Sequence, residues 1–185
     1  MKILGIDPSL SNCGFATGTL DIETLDFKVD NLNLVKTEAS KSKTTRKNSD
    51  DLERCRLLAA GLREAEKGAE IAFVEMPVGS QSARAMMSYG VCMQLVGMLN
   101  IPVIQVTPNE VKTAATGDKL ATKREMIEWA SFKFPDLNWL KKGGRLIDAN
   151  EHLADAIGAI NAGVHNEEFL ALISMLRSMS RKTAA

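Results

Sequence analysis

Cysteine is scarce in this sequence, and the three cysteines that are present lie far apart. Cys13, Cys55 and Cys92 are odd in number and form no CxxC pair, which argues against a disulfide framework and against a structural zinc site. Such usage is typical of a reducing compartment. We therefore expect a protein of a reducing cytosol.

Long hydrophobic runs are also absent. The apolar run at residues 3–6 is interrupted by Asp7 and Pro8, far short of the roughly 7–15 residues of a signal-peptide core. No other stretch approaches the ~20 apolar residues of a membrane span. We expect a soluble protein without a membrane partner.

The sequence also lacks a net charge. Lysine plus arginine and aspartate plus glutamate both number 23, so the formal net charge is zero. No overall field attracts a polyanion, and any affinity for nucleic acid must come from local basic patches. A chain of 185 residues can bury a stable core without disulfides or metals. We expect one domain over residues 1–185, with a short helical extension from about residue 166.

The order of apolar patterns predicts an α/β fold with a mixed central sheet flanked by helices. We expect strands at 2–6, 12–20, 26–37, 71–74 and 102–106, the first three as an antiparallel meander. Helices are predicted at 50–68, 81–99, from 107 or 109 to 117, from 122 to just before Pro135, and from 150 to about 164. The basic segment 39–48 is predicted to be a loop.

The first predicted helix has an apolar stripe. Leu52, Leu58, Ala59 and Leu62 lie near one face, and the charged residues, Arg54 among them, are assigned to the other faces. Ser49 or Asp50 is expected to cap this helix. Trp139, beside Lys141 and Lys142, is assigned to core packing rather than to stacking on a base.

Two apolar strands end in a carboxylate, Asp7 after residues 3–6 and Glu75 after residues 71–74. A carboxylate at the end of a buried strand is costly unless a partner compensates it, and a divalent cation is one such partner. Each acid alone is explained equally well as the cap of the following turn. Two such strands in one small sheet favour a site.

A third acidic element opens the helix predicted from residue 150. Asp148, Glu151, His152 and Asp155 share one helical face, and this face continues through the small residues Gly158, Ala159 and Ala162. A solvated acidic first turn is the ordinary alternative, since the helix dipole favours it. A small, uncharged continuation instead indicates close packing on the sheet, which would bring His152 and Asp155 to Asp7 and Glu75.

Three carboxylates and one imidazole form a hard, oxygen-rich ligand set. Such a set suits Mg²⁺, and the imidazole favours Mn²⁺ somewhat. A cluster of this kind can hold two ions that together promote phosphodiester hydrolysis.

Four segments together resemble the RuvC family of Holliday junction resolvases: ILGIDPSLSNCGFA at 3–16, FVEMP at 73–77, TPNEVKTAATGDKLATKREM at 107–126 and EHLADAIGAI at 151–160. They lie in the family's order with similar gaps, from residue 3 to about 164. The resemblance implies a ribonuclease H-like fold, a homodimer, and metal-dependent paired nicking of four-way DNA junctions.

By this resemblance the metal-binding acids fall on Asp7, Glu75 and Asp155, with His152 at a position where the family has Asp or His. Two Mg²⁺ per active site are implied, with Mn²⁺ as a substitute, and no nucleotide cofactor. Glu151 is a further candidate ligand. The family's two lysines fall on Lys112 and Lys123, with phosphate contact and charge stabilisation as the implied roles, so Lys123 joins the catalytic set.

Further basic residues are candidates for DNA contact, although a solvated surface explains most of them equally well. They are Lys119 and Arg124 beside the predicted site, Lys43, Arg46 and Lys47 in the basic loop, and Lys141, Lys142 and Arg145 before the acidic helix.

The sequence departs from the family after Glu75. Bacterial members carry an aromatic residue there that is thought to wedge into the junction, whereas residues 76–80 contain none. The long basic loop and the C-terminal extension are similar to phage-encoded members, which would place the protein in a phage-infected cell. Cleavage preference is thus not fixed by analogy.

Three alternatives stay open at this point. The segment GIDPSLSNCG resembles the phosphate loop of sugar kinases and actin-like nucleotide hydrolases, but those need two such domains and this chain is too short. A broader debranching nuclease of the same fold and a junction-binding protein without catalysis are the others. All four metal-ligand positions carry competent side chains, so the sequence gives no sign of lost catalysis.

Overall fold

A computed structural model describes residues 1–77, 79 and 82–183, with side chains as far as residue 179. The strands are β1 (Lys2–Asp7), β2 (Asn12–Leu20), β3 (Phe27–Lys36), β4 (Ile71–Glu75), β5 (Val103–Val106), β6 (Lys141–Lys142) and β7 (Arg145–Leu146). The helices are α1 (Lys47–Ala65), α2 (Ala83–Gly97), α3 (Pro108–Thr116), α4 (Lys123–Lys133), α5 (Asn150–Gly163) and α6 (Glu167–Thr183).

Five strands form one mixed sheet in the order β3-β2-β1-β4-β5. β1, β2 and β3 pair antiparallel as the predicted meander, while β4 runs parallel to β1 and β5 parallel to β4. The predicted α/β class with a mixed central sheet is confirmed. Because β1, β4 and β5 are parallel, their carboxyl ends meet at one edge of the sheet.

The two faces of the sheet bury separate hydrophobic clusters, because successive strand residues point to opposite faces. Ile3 and Phe73 pack with α3 to α6 on one face, and Leu4 and Val74 pack with α1 and α2 on the other. Among the described residues, no helix has the length and apolar character needed to cross a membrane.

α5 lies very close to the sheet, because the strand residues that face it include two glycines without side chains. A Cβ on Gly5 would stand 2.1 Å from the carbonyl oxygen of Ala156, and one on Gly14 would stand 2.0 Å from that of His152. The two glycines therefore let the helix backbone touch β1 and β2. The predicted close packing of α5 on the sheet is confirmed, but the contacts with Gly5 and Gly14 come from His152, Ala156 and Ile160, while Gly158 of the predicted face meets Val111 of α3 and Met126 of α4. This packing fixes the height of His152 above the sheet.

Three sequence predictions about α1 are corrected. The helix begins at Lys47 rather than after Ser49 or Asp50, and its N-cap, Arg46, makes no side-chain cap. Leu52 is 52% exposed, while Arg54 is only 5% exposed on the face that carries Leu58 and Leu62. Helical periodicity predicted that the Arg54 side chain would be exposed to solvent. It is buried instead, because neighbouring polar groups form hydrogen bonds with it.

The hairpin of β6 and β7 was not predicted, because strands of two residues leave no periodic signal. Trp139, in contrast, is 7% exposed within the core, as predicted. α2 ends at Gly97 rather than at residue 99. Its predicted start at Gln81, and Val78 and Ser80 in the loop after Glu75, lie outside the described residues.

Candidate active site

Asp7 and Glu75 lie side by side at the carboxyl edge of the sheet. β1 and β4 are parallel neighbours with Ile6 opposite Val74, so the next residue on each strand is a carboxylate. Residues 3–6 of β1 and 71–74 of β4 are buried, and both acids are partly exposed. The sheet register alone therefore brings together the two acids that are 68 positions apart in sequence.

The first turns of α5 add His152 and Asp155 to this edge. The ring Nδ1 of His152 lies 2.6 Å from Oδ2 of Asp7, a short hydrogen bond between partly buried groups. Asp155 follows three residues later on the same helical face. We call Asp7, Glu75, His152 and Asp155 the acidic site; the four residues predicted from the sequence do converge.

Crowded, poorly solvated carboxylates raise one another's pKa values in this site. Burial, then the charges of Asp155 and Asp7, raise the pKa of Glu75 to about 9. Burial, then the charges of Asp7 and Glu151, raise the pKa of Asp155 to about 7. Burial also raises the pKa of Asp7, although its hydrogen bond to His152 opposes the rise. The site therefore resists carrying its full negative charge.

His152 responds in the opposite sense to its surroundings. Burial lowers its pKa, but the hydrogen bond and charge of Asp7, with the charges of Glu151 and Asp155, outweigh burial and raise it. The imidazole thus holds a proton more firmly than an exposed histidine. When protonated, it forms an ion pair with Asp7.

Two lysines border the site. Lys112 on α3 is partly exposed, and its charge lowers the pKa values of Glu75 and Asp155. Nζ of Lys123, the first residue of α4, lies 2.7 Å from Oε2 of Glu151. The Glu151 carboxylate faces Lys123, and the lysine side chain remains 73% exposed.

Comparisons with known proteins agree with the RuvC motifs in the sequence. No family model matches the chain. A curated protein named crossover junction endodeoxyribonuclease RuvC, from Parasynechococcus marenigrum, is 28% identical over 133 residues, which are 69% of this chain and 80% of that protein. The fold is similar to that of Thermus thermophilus RuvC in complex with Holliday junction substrate, with a TM-score of 0.63, 22% identity, and coverage of 92% of this chain and 94% of that one. A second Thermus thermophilus RuvC structure gives a TM-score of 0.58 at 21% identity over 94% of this chain and 97% of that one.

The predicted RuvC resemblance is confirmed. The ribonuclease H-like fold is confirmed with it. In this RuvC-like chain, Asp7 and Glu75 end the first and fourth strands, and Asp155 lies on the acidic helix, as the family motifs placed them in sequence.

The acidic site of the RuvC-like fold suits a hard divalent cation. Its donors are carboxylate oxygens and one imidazole, the ligands that Mg²⁺ and Mn²⁺ accept. Among residues 1–77, 79 and 82–183, no hydrogen bond or ion pair reaches the carboxylate of Glu75 or Asp155. The described residues also contain no group of three or more such donors already close enough to be a metal centre. The acidic site therefore suits a divalent cation by the chemistry of its donor atoms and by its uncompensated negative charge.

The remaining predicted DNA-contact residues surround this edge or lie apart from it. Lys119 is exposed between α3 and α4, and Arg124 is exposed but paired with Glu128 at 2.7 Å. The other candidates are also exposed: Lys43 and Arg46 in the basic loop, Lys47 at the start of α1, and Lys141, Lys142 and Arg145 in the β6–β7 hairpin.

Sequence reasoning missed a polar cluster on the other face of the sheet. Arg54 donates from Nε to Oγ1 of Thr37 at 3.0 Å and from Nη2 to Oγ of Ser11 at 3.0 Å. Asp51 lies 3.6 Å from Arg54 and accepts two bonds, at 2.7 and 2.8 Å, from Arg84. We call Ser11, Thr37, Asp51, Arg54 and Arg84 the arginine cluster. It fixes the turn that follows Asp7, and the only sequence signal for it was Arg54 three residues after Asp51.

Proposed function

We propose that this chain is a metal-dependent, structure-selective endodeoxyribonuclease that resolves four-way DNA junctions by paired symmetric nicks. The single observation that carries the proposal is the convergence of Asp7, Glu75, His152 and Asp155 at one edge of a RuvC-type sheet. The curated relative is named a crossover junction endodeoxyribonuclease, and a structural neighbour is a complex with Holliday junction substrate. Both names support the same reaction for this chain.

Asp7, Glu75, Asp155 and His152 would hold the metal, two Mg²⁺ ions with Mn²⁺ as a substitute. Bound divalent cations lower the pKa of the attacking water and stabilise charge on the leaving oxygen. Positive charge at this edge would also relieve the repulsion that raises the pKa values of Glu75 and Asp155. Glu151, whose carboxylate is engaged by Lys123, is the weaker candidate ligand.

The chain's own cations have separable roles in this proposal. Lys123 stands at the rim of the site and would offset negative charge that develops on the phosphate in the transition state. His152 holds the Asp7 carboxylate in place through its 2.6 Å hydrogen bond. Lys112 faces Glu75 and Asp155 from α3 and would contact a phosphate of the bound strand.

Paired nicks require two sites, and we propose a homodimer that supplies them. α2 carries the exposed side chains Met86 and Met93 on a largely apolar helix. Two-fold pairing through α2 would present one acidic site to each of two opposed strands of a symmetric junction.

The proposal is tested with a labelled synthetic four-way junction and a matched linear duplex in Mg²⁺, in Mn²⁺ and in EDTA. We expect paired symmetric nicks in the junction alone, lost in EDTA. Cutting of every branched form would replace junction resolution with a broader debranching activity. Junction binding without cutting in either metal would overturn the assignment as a nuclease.

A further inference from the structure

The segment between α4 and α5 is held to the body of the protein at both ends by asparagine side chains. The Asn138 amide pairs with the backbone of Leu32 on β3, accepting at 2.9 Å and donating at 2.7 Å. Asn150, fully buried, accepts from Leu140 N at 2.9 Å and donates to Leu140 O at 2.8 Å and Ile147 O at 3.0 Å. The segment is thus a fixed arm.

This arm projects the β6–β7 hairpin from the first turn of α5. Gly143 and Gly144 form its two-residue turn, with φ values of 57° and 78°, as the tight type I′ turn requires. A two-stranded hairpin is marginal on its own, so the Asn150 bonds at its base give it a defined position. Asn150 is also only two residues before His152, which ties the hairpin to the acidic site.

The hairpin presents positive charge that nothing else in the described structure uses. Lys141, Lys142 and Arg145 are exposed, and none of them forms an ion pair with another described residue. Three cations within five residues repel one another, and an unpaired cluster of this kind favours a polyanionic partner.

A groove of about 880 Å³ lies between the hairpin and the start of α4. Arg145 lines one wall, Lys123 and Arg124 line the other, and Ile127 and Leu146 contribute an apolar floor. Two acids also line it, Glu128, which is paired with Arg124, and Asp148. Because Lys123 contacts Glu151, which directly precedes His152 in the sequence, this wall of the groove is next to the acidic site.

We propose that this groove binds the sugar–phosphate backbone of the DNA strand that leads away from the cleaved phosphate, with the β6–β7 hairpin as its outer wall. This inference rests on the proposed function, since it names the path of that substrate. Cations on both walls match a chain of phosphates. Backbone contacts of this kind position a strand without reading its sequence.

The test replaces all three hairpin cations with glutamine, in K141Q/K142Q/R145Q. The matched control K2Q/K28Q/K67Q removes three exposed lysines at the opposite edge of the sheet. Binding of a labelled four-way junction is measured in EDTA by fluorescence anisotropy over a series of KCl concentrations. Thermal unfolding of each variant shows that the fold is retained.

We expect the hairpin variant to bind on the order of 100-fold more weakly at 0.1 M salt, with the salt slope reduced by about 2–3, since each phosphate contact contributes roughly 0.7–0.9. The control should stay within about threefold of the wild type, with the same slope. If the triple variant unfolds early, the three single variants, each expected to lose about 0.7–0.9 of slope, measure the same contacts.

Equal losses in the hairpin variant and the control would overturn the groove, because net charge alone would then explain them. Unchanged binding in the hairpin variant would overturn it as well, and paired nicking by the wild type would leave the proposed nuclease standing. The reverse outcome is also distinguishable. If the hairpin variant binds more weakly but the wild type cuts no junction in Mg²⁺ or Mn²⁺, the groove is supported as a DNA-binding site and the proposed nuclease activity is overturned.

Discussion

The acidic site and the arginine cluster are two partly buried charged clusters on opposite sides of the same strand end, and they are built by opposite rules. In the arginine cluster, the buried guanidinium of Arg54 has a hydroxyl, carbonyl or carboxylate on each side. In the acidic site, three carboxylates lie near one another, only Asp7 is hydrogen-bonded to the imidazole, and the pKa values of all three rise.

The difference separates a structural cluster from a functional one. A satisfied buried charge stabilises the fold, and removing it leaves its partners unpaired. A cluster of like charges destabilises the fold unless a ligand arrives, so it persists where a ligand is needed. The two clusters should therefore respond in opposite ways to the same kind of substitution.

The largest effect is expected for Asp7→Asn in the acidic site. The amide removes one negative ligand, and we expect junction nicking to fall on the order of 1,000-fold with the fold retained. Junction binding should persist or tighten, since a charge that repels phosphates is gone. Nicking rates in Mg²⁺, with circular dichroism as the control for folding, check this. Normal nicking by the variant would exclude Asp7 from the site's chemistry.

Arg54→Met in the arginine cluster should have the largest effect on stability. The substitution leaves the hydroxyl oxygens of Thr37 and Ser11 without the donor that Arg54 supplies, and we expect a loss of about 2–4 kcal/mol in the free energy of unfolding. Urea denaturation measures it. The matched control is Arg56→Ala, an exposed neighbour paired with Glu53 at 3.6 Å, which should cost about 0–1 kcal/mol. Equal costs would remove the contrast between the two clusters.

Glu75→Gln should stabilise the metal-free protein at pH 8 while it abolishes nicking. The pKa of Glu75 is raised from 4.5 to about 9, so the folded chain holds a proton that the unfolded chain releases. Wild-type stability in EDTA should therefore fall as the pH rises between these values, and the variant should lose that part of the slope. For a chain of this size, each 1 kcal/mol shifts the melting temperature by about 2–4 °C.

Thermal melts in EDTA from pH 5 to pH 9 provide the measurement. Asp155, with a pKa raised to about 7, should contribute a smaller fall of the same sign in both proteins. Added Mg²⁺ should narrow the difference between wild type and variant. A wild-type melting temperature that rises with pH across this range would contradict the proposed charge repulsion.

The acidic site was predictable from the sequence because its signals are local. Each acid of the sheet follows a short apolar run, and the small residues after Asp155 indicate a closely packed helix, although Gly158 packs on α3 and α4 rather than on the sheet. The depth of that packing was not predictable, since it depends on Gly5 and Gly14 facing α5 across the sheet. The 2.6 Å contact between His152 and Asp7 follows from this packing and not from spacing.

The arginine cluster and the hairpin were missed for a different physical reason. Arg54 is buried because partners from β3, the β1–β2 turn and α2 meet it, and such tertiary satisfaction overrides helical periodicity. The hairpin depends on Asn150 and on two glycines with positive φ, in strands too short to show alternation. Local patterns therefore located the acidic site, and long-range polar pairing determined the other two features.

The ion pair of Lys123 and Glu151 is part of neither the acidic site nor the arginine cluster, and we expect it to have the smallest effect on stability. Its two atoms are 2.7 Å apart, but the lysine is 73% exposed, so Lys123→Ala should change the free energy of unfolding by only about 0–1 kcal/mol. The nicking rate at saturating junction should nevertheless fall by about 10–100-fold, because the charge acts on the transition state. Urea denaturation at low and high salt, and single-turnover nicking, measure the two effects. A stability loss as large as that of Arg54→Met, with nicking unchanged per folded molecule, would assign Lys123 to the scaffold instead.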